Sequence, residues 1–461
     1  VLNDAASFPD TTRELDHHAL RIGNLLPVRG FIELFGYGQV SYYAWPFVTG
    51  ILLVVAVFVL GAALFGRWTG AAAALLVVFH PVLVDTVIRT GRERMTSWQL
   101  LPDIPSTAFF TLGLGLLVLG AQRDRREDGA RAAPWWFVAA GACFGWAYLV
   151  RELTVFVFPV IVVALVAWRL GLRRWLQVAG TMLGALVLEL VVNGLAHGDP
   201  LVRLEVGSEH GSPIAGITRV DALLRFPRAV VAYPQTVVVL TACVLMMLGA
   251  VLVRRRGHVL MPVWFVSMWL PLTLVSGLVD PGFIRINASL MRYWVPVIPP
   301  VCLGAAAAVA AALAALRRRS RNGTVATGVS VAVTSVALAL WVVPVLDDVA
   351  RNPRDASWNA VRSYLSANDE DIDTIVTDDR DALILGIYVR EPLGGERVVD
   401  ATIERTGHDL RRAPEGGVAG RYLVWTPTLT RDRPDEQDGW RAVLREREIV
   451  VYAPVTDGPG S

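Results

Sequence analysis

Three short clusters carry the side chains most able to do chemistry. In Leu101-Pro102-Asp103-Ile104-Pro105 a carboxylate stands between two prolines at the mouth of an apolar run. Proline starts a helix and fixes its direction, and a catalytic acid or base must be placed to within ångströms. The same aspartate could equally serve as a helix N-cap. The second cluster is Arg151-Glu152, where the chain barely leaves one apolar run before entering the next. The third is Arg292-Tyr293, inside Asn287-Ala288-Ser289-Leu290-Met291-Arg292-Tyr293-Trp294-Val295-Pro296. A guanidinium presents a planar fork of donors that matches a phosphate. Pairing with Glu152, or snorkelling to a membrane interface, are the plainer uses. Arg89, Arg92 and Arg94 precede Asp103 and add positive charge. Together these groups suit a phosphate-bearing substrate.

The other polar clusters point less clearly to chemistry. In Asp16-His17-His18-Ala19-Leu20-Arg21 the two histidines are adjacent and would point apart on a helix. Glu205, Glu209 and His210 lack a further ligand at fixed spacing. Neither group indicates a structural metal. The three cysteines, Cys143, Cys243 and Cys302, each lie in an apolar run and read as packing residues. All 43 basic residues are arginine, so chemistry that needs lysine, including Schiff bases and P-loops, is excluded.

The elements that must position these residues are membrane helices. The 461-residue chain is 54% hydrophobic and only 18% charged, with mean hydropathy +0.48; a soluble chain carries about 25% charged residues. Apolar runs fill residues 42–346, whereas 347–461 resembles an ordinary soluble domain. That pattern excludes a soluble enzyme, a disordered protein and a disulfide scaffold. A net charge of +2 gives no reason to expect nucleic acid as a partner.

A span needs roughly 20 apolar residues, and about ten stretches between 43 and 346 qualify. Arg67, Arg123 to Arg131, Arg169 to Arg174, Arg254 to Arg256 and Arg317 to Arg321 crowd alternate short loops, which places those loops in the cytoplasm. The opposite loops, the first 41 residues and the tail then face outward. The chain opens on Val1 in a polar loop, and we expect a further span upstream. The stretch after Gly23 and the one around Val220 to Leu224 have the pattern of interfacial amphipathic helices or of loop helices packed on the bundle. This reading divides the chain into an external loop with an interfacial helix (1–41), a transmembrane domain (42–346) and an extracytoplasmic α/β domain (347–461). In the last, helices are expected at 358–365 and 382–389, and strands at 374–376, 422–425 and 449–452.

The three motifs, in their order and on one face, resemble the GT-C superfamily of integral-membrane glycosyltransferases. The similar branch is that of protein O-mannosyltransferases and lipid A aminoarabinose transferases. The resemblance runs from about Asp16 to Ala305. It implies a polytopic α-helical bundle with an outer α/β domain in a bacterial cytoplasmic membrane, active on the outer face. The implied reaction moves a sugar from a polyprenyl-phosphate donor to an acceptor hydroxyl of a protein, glycan or lipid. Mannose and arabinose donors fit equally.

By the same resemblance Asp103 is the acidic residue of the second external loop. Arg151 and Arg292 hold the lipid phosphate, Glu152 orients Arg151, and Tyr293 supports Arg292. Arg21, His18 and Arg94 add basic groups for that phosphate. The family's base follows its first span; Asp16 is the best-placed candidate here, ahead of Asp4 and Asp10, unless the base lies upstream of Val1. No cofactor is implied, although a divalent cation is an alternative to arginine for neutralising the phosphate. A transporter or flippase of an envelope precursor, and a non-catalytic envelope scaffold, are the competing functions. Transporters concentrate polar groups at the membrane midplane, whereas the charges here gather at one face.

Overall fold

A computed structural model describes residues 20–84, 102–126, 134–208, 212–213, 218–231, 236–280, 283–284, 286, 291–319, scattered positions between 328 and 346, 356–406, 418–426, 439–446 and 449–455. The described residues fall into two compact units. One contains residues 20–26 and 46–346; the other contains 27–45 and 356–455.

The first unit is helical because lipid offers no partner for an unpaired backbone group. Its elements are α1 (Ile22–Phe35, continuing into the second unit), α2 (Gln39–Phe65, entering from it), α3 (Arg67–Val78), α4 (Pro81–Val84), α5 (Asp103–Arg126), α6 (Trp135–Val150), α7 (Phe158–Ala167), α8 (Leu172–His197), α9 (Val202–Ser208), α10 (Arg219–Val231), α11 (Thr236–Val253), α12 (Arg256–Thr273) and α13 (Ile298–Arg319). A short ribbon pairs β1 (Ser212–Pro213) with β2 (Phe283–Ile284). Among the described residues five helices are long and apolar enough to span a membrane, and four more are apolar but shorter. The chain is therefore a multi-pass membrane protein; parts of the about ten expected apolar runs, among them stretches within 85–101 and 320–346, lie outside the described residues. Two of the shorter helices are cut short locally. The apolar run over 70–88 is interrupted after Val78, before His80 and Pro81. The run over 153–168 begins as a 3-10 turn, Glu152–Val157.

Close helix contact places the end of α6 beside α8. A Cβ at Gly141 would meet the carbonyl oxygen of Val178 at 2.5 Å, and one at Gly145 would meet the Ala185 Cβ at 2.5 Å. Small residues one turn apart let two membrane helices pack backbone to backbone. Aromatic side chains fill the wider gaps. Phe110 packs on Trp264 and Phe144, with ring centroids 5.1 and 5.3 Å apart.

The second unit holds α14 (Ala356–Ala367), α15 (Asp379–Tyr388) and a five-stranded sheet in the order β4-β3-β5-β7-β6. The strands are β3 (Thr374–Thr377), β4 (Thr402–Arg405), β5 (Arg421–Trp425), β6 (Trp440–Glu446) and β7 (Ile449–Pro454). β3 is parallel to β4 and β5, while β7 is antiparallel to β5 and β6. The expected helices and central strands are present. The two strands not expected, β4 and β6, are the sheet edges, where charged residues interrupt the apolar pattern. Asp378 accepts from the backbone N–H of Asp381 at 2.8 Å and so caps α15.

Residues 27–45 join this unit through a backbone clasp. Gly394 N donates to Phe35 O at 2.8 Å, and Val40 N donates to Pro392 O at 3.0 Å. The Tyr43 and Tyr388 hydroxyls meet at 2.8 Å, and the Arg390 guanidinium lies 5.2 Å from the Tyr37 ring centroid. Gly395 has φ +76, and a Cβ there would come within 2.7 Å of Tyr37 backbone N and O. Gly395→Ala should cost at least about 1–2 kcal/mol from the left-handed conformation alone. Thermal unfolding and limited proteolysis of the full chain should report the loss; an unchanged midpoint would mean the clasp does not hold.

Candidate active site

The site is organised by a break in the chain. Helix α6 stops at Val150, and Arg151 is extended, with φ −153 and ψ 122, before the 3-10 turn begins at Glu152. In an extended segment consecutive side chains leave on opposite sides. Arg151 and Glu152, adjacent in sequence, accordingly enter two different groups of charges.

On one side Arg151 forms an ion pair with Asp103. Both side chains are nearly inaccessible, at 5% and 3% exposure. Asp103 opens α5, and the Ser106 and Thr107 hydroxyls donate to its carbonyl oxygen at 3.0 and 2.7 Å. Its carboxylate takes no hydrogen bond from its own helix, so it is not an N-cap; it faces Arg151. The guanidinium carbon of Arg151 lies 4.9 Å from the Tyr293 ring centroid, and that of Arg292 lies 5.0 Å from the same ring. Arg292 Nη2 also donates to the Tyr293 hydroxyl at 3.2 Å. Two guanidiniums therefore share one aromatic ring, an arrangement favoured by the ring quadrupole. The Nε–H groups of both arginines are buried and have no acceptor among the described residues.

On the other side Glu152 is held by Arg21, whose Nη2 and Nε donate at 2.6 and 3.2 Å, and by Arg203, whose Nη2 donates at 3.0 Å. Arg203 is also ion-paired with Glu189 of α8 and donates to the Tyr148 carbonyl oxygen at 3.1 Å. Glu152, expected beside Arg151, thus makes its hydrogen bonds to Arg21 and Arg203, while Arg151 is ion-paired with Asp103. Glu189, an acid within an apolar run, is thereby paired. Removing one member of a buried ion pair costs about 3–5 kcal/mol, because the other charge is left uncompensated.

The electrostatics follow from these contacts. Burial pushes the Glu152 carboxyl up, but Arg21, Arg203 and Arg151 overcome it and hold the group well below the usual carboxylate range. Burial disfavours the charge on Arg203, yet Glu189 and Glu152 more than offset it and raise its pKa. Burial, with Arg21 nearby, lowers Arg151 to about 9, which leaves it charged at neutral pH.

The structure thus brings Asp103, Arg151, Arg292, Tyr293, Glu152 and Arg21 into one neighbourhood. Asp16, His18 and Arg94 lie outside the described residues, as do Arg89 and Arg92. Arg203 was not singled out from sequence. The available signal was Glu189, since an acid in an apolar helix calls for a cation, and Arg203 is the first one beyond its C-terminal end. Among the described residues no three metal-ligating side chains converge. The Asp103 and Glu152 carboxylates both face guanidiniums.

A group with a lowered folded pKa stabilises the fold above its unfolded value, about 4.3 for Glu, and loses that contribution as pH falls through the folded value. The thermal midpoint should therefore hold level from pH 8 to pH 5 and fall below about pH 4. Glu152→Gln should flatten the acid limb. An equally steep fall in that variant would remove Glu152 as its source.

Comparison with known proteins places these features in a wider setting. Residues 26–194 match the family model of dolichyl-phosphate-mannose-protein mannosyltransferases. No curated protein matches the chain. The fold is similar to that of ArnT from Cupriavidus metallidurans bound to undecaprenyl phosphate. That comparison gives 16% identity and a TM-score of 0.56, and covers 100% of this chain and 93% of that one. The apo form of the same protein gives 15% identity, a TM-score of 0.58 and coverage of 98% and 91%. The family model is thus matched over the first helices, and the fold of the whole chain is similar to that of an integral-membrane glycosyltransferase of the GT-C type.

Proposed function

We propose that the chain transfers a sugar from a polyprenyl-phosphate donor to an acceptor hydroxyl, with Arg151 and Arg292 receiving the phosphate. The observation that carries this reading is the pair of guanidiniums on one tyrosine ring, each with a buried Nε–H that has no acceptor among the described residues. A buried donor without an acceptor is costly. Two like charges held about 5 Å from one ring favour an anion that can bridge them. Four arginines face three carboxylates across the cluster, and Arg292 is the one with no carboxylate partner among the described residues.

A phosphate leaves readily once its charge is neutralised, so the guanidiniums supply most of the electrophilic help. An arginine fork can keep Asp103 on one edge and take a phosphate oxygen on the other. Asp103 then has two tasks. It fixes Arg151 in the free protein, and it becomes available to the acceptor hydroxyl as Arg151 turns toward the phosphate. Asp16 is the second candidate base. The ArnT structure bound to undecaprenyl phosphate supports the class of carrier. The sugar and the acceptor rest on the resemblance alone, and a mannose or arabinose donor is consistent with it. The reading includes the ten-span topology, with the site and the C-terminal unit on the outer face of a bacterial cytoplasmic membrane.

The carrier's tail needs an apolar path. A cavity of about 350 Å³ lies between α2, α3, α4 and the start of α5, lined by Pro46, Phe47, Gly50, Ile51, Val77 and Ile104 among others. One lining residue, Ile104, is the chain neighbour of Asp103.

Three experiments test the proposal. In transfer assays with polyprenyl-phosphate sugars, Asp103→Asn should lower kcat at least about 100-fold, a general base being worth about 10²–10⁴-fold. Arg292→Ala should weaken undecaprenyl phosphate binding about 10- to 100-fold, as for the loss of charged hydrogen bonds. Unaltered transfer or binding would remove the residue concerned from the mechanism. A Cβ at Gly50 meets nothing within 4 Å. Gly50→Phe should thus plug the groove without backbone strain, raising KM for an undecaprenyl donor but not for a short-chain one. An equal effect on both donors would place the tail elsewhere.

A further inference from the structure

We infer that Arg203, anchored by Glu189, is a positioning residue that fixes the Glu152 carboxylate, and through it Arg21, at the edge of the phosphate site. This rests on the polyprenyl-phosphate reading given above. Arg203 meets three acceptors that lie in different directions. It is paired with Glu189, donates to Glu152 Oε2 at 3.0 Å and donates to the Tyr148 carbonyl oxygen at 3.1 Å. Its guanidinium carbon is 5.2 Å from the Tyr148 ring centroid. A planar fork can serve all three, whereas an ammonium is a single compact head.

The exposures show which member of this chain of charges is being presented. Glu189, Arg203 and Arg21 are buried, at 4%, 7% and 8%, while the Glu152 side chain is 41% exposed. A long, half-exposed glutamate would ordinarily sample many rotamers. Here Arg21 and Arg203 grip both of its oxygens, so it is fixed while still open to a ligand. An apolar pair of similar volume at 189 and 203 could stabilise the helices as well as the ion pair does. What an apolar pair could not do is hold Glu152. The charged and titratable groups facing Glu152 are Arg21 ahead of α1, Tyr148 of α6, the adjacent Arg151, Glu189 of α8 and Arg203 of α9.

The test uses the full chain in lipid nanodiscs. The double variant Arg203→Met/Glu189→Met removes both charges together, so no buried ion is stranded and the cluster keeps its net charge. Infrared difference spectra against the same background carrying Glu152→Gln follow the Glu152 carboxyl. In the parent chain it should remain ionised at pH 5. In the double variant its titration midpoint should rise by about one pH unit or more, as expected when one of two adjacent cations is lost. Undecaprenyl phosphate, used as the probe, itself takes up a proton near pH 6 (its second pKa is about 6), so the Kd of each variant is read as a ratio to the parent's at the same pH. For the double variant that ratio should fall at least threefold as pH drops through its own Glu152 midpoint, because protonation removes an anion beside the phosphate. Adding Glu152→Gln should abolish that change, and Arg203→Lys should not restore the parent profile. A folded double variant with the parent titration overturns the inference, and so does one whose titration moves while that ratio stays level. If the double variant shows no thermal transition, Glu189→Gln is titrated in its place, and a Glu152 midpoint unchanged from the parent there overturns the inference equally. If the parent fails to bind the probe, the polyprenyl-phosphate reading fails, while the infrared titration still judges Arg203.

Discussion

The charged end of the helical unit depends on a single extended residue. Had α6 continued through Arg151, the next side chain would lie only about 100° further round the helix, and Arg151 and Glu152 would compete for the same neighbours. The extended geometry separates them. One then joins Asp103, Tyr293 and Arg292, and the other joins Arg21, Arg203 and Glu189. Buried charges survive only when paired and hydrogen-bonded. This break therefore lets two arginine-rich clusters exist side by side in a largely apolar protein.

Helix packing supplies the precision that such clusters need. The glycines of α6 bring its backbone against α8, which puts Tyr148 and Glu152 within reach of the Glu189–Arg203 pair. The start of α5 is set by proline and by hydroxyl bonds to the Asp103 carbonyl, leaving the carboxylate free to face Arg151. In the second unit a different constraint operates. The clasp between residues 35–40 and 392–395 is made of backbone groups, and it tolerates no Cβ at Gly395.

These observations favour an enzyme over a transporter. Among the described residues the charged side chains gather in one cluster, and Ile104, next to Asp103 in the chain, lines an apolar cavity. Among the described residues the cluster carries more guanidinium than carboxylate, and two donors without an acceptor flank one ring.

The sequence by itself determined the helical membrane class, the α/β character of the tail and the three motifs at the charged face, because each is local. Apolar runs, strand-like β3, β5 and β7, and the residue types of Asp103, Arg151-Glu152 and Arg292-Tyr293 all lie in short stretches. The edge strands β4 and β6 escaped because solvent-facing edges carry charge and so lose the alternating pattern. Only the tertiary structure decided who pairs with whom. Glu152 lies 131 residues from Arg21 and 51 from Arg203, and no periodicity links positions so far apart. Nor could residue types alone choose among four arginines for three acids. That choice was made by the backbone break at Arg151 and by the close approach of α6 to α8, which decide which charges are near enough to neutralise one another.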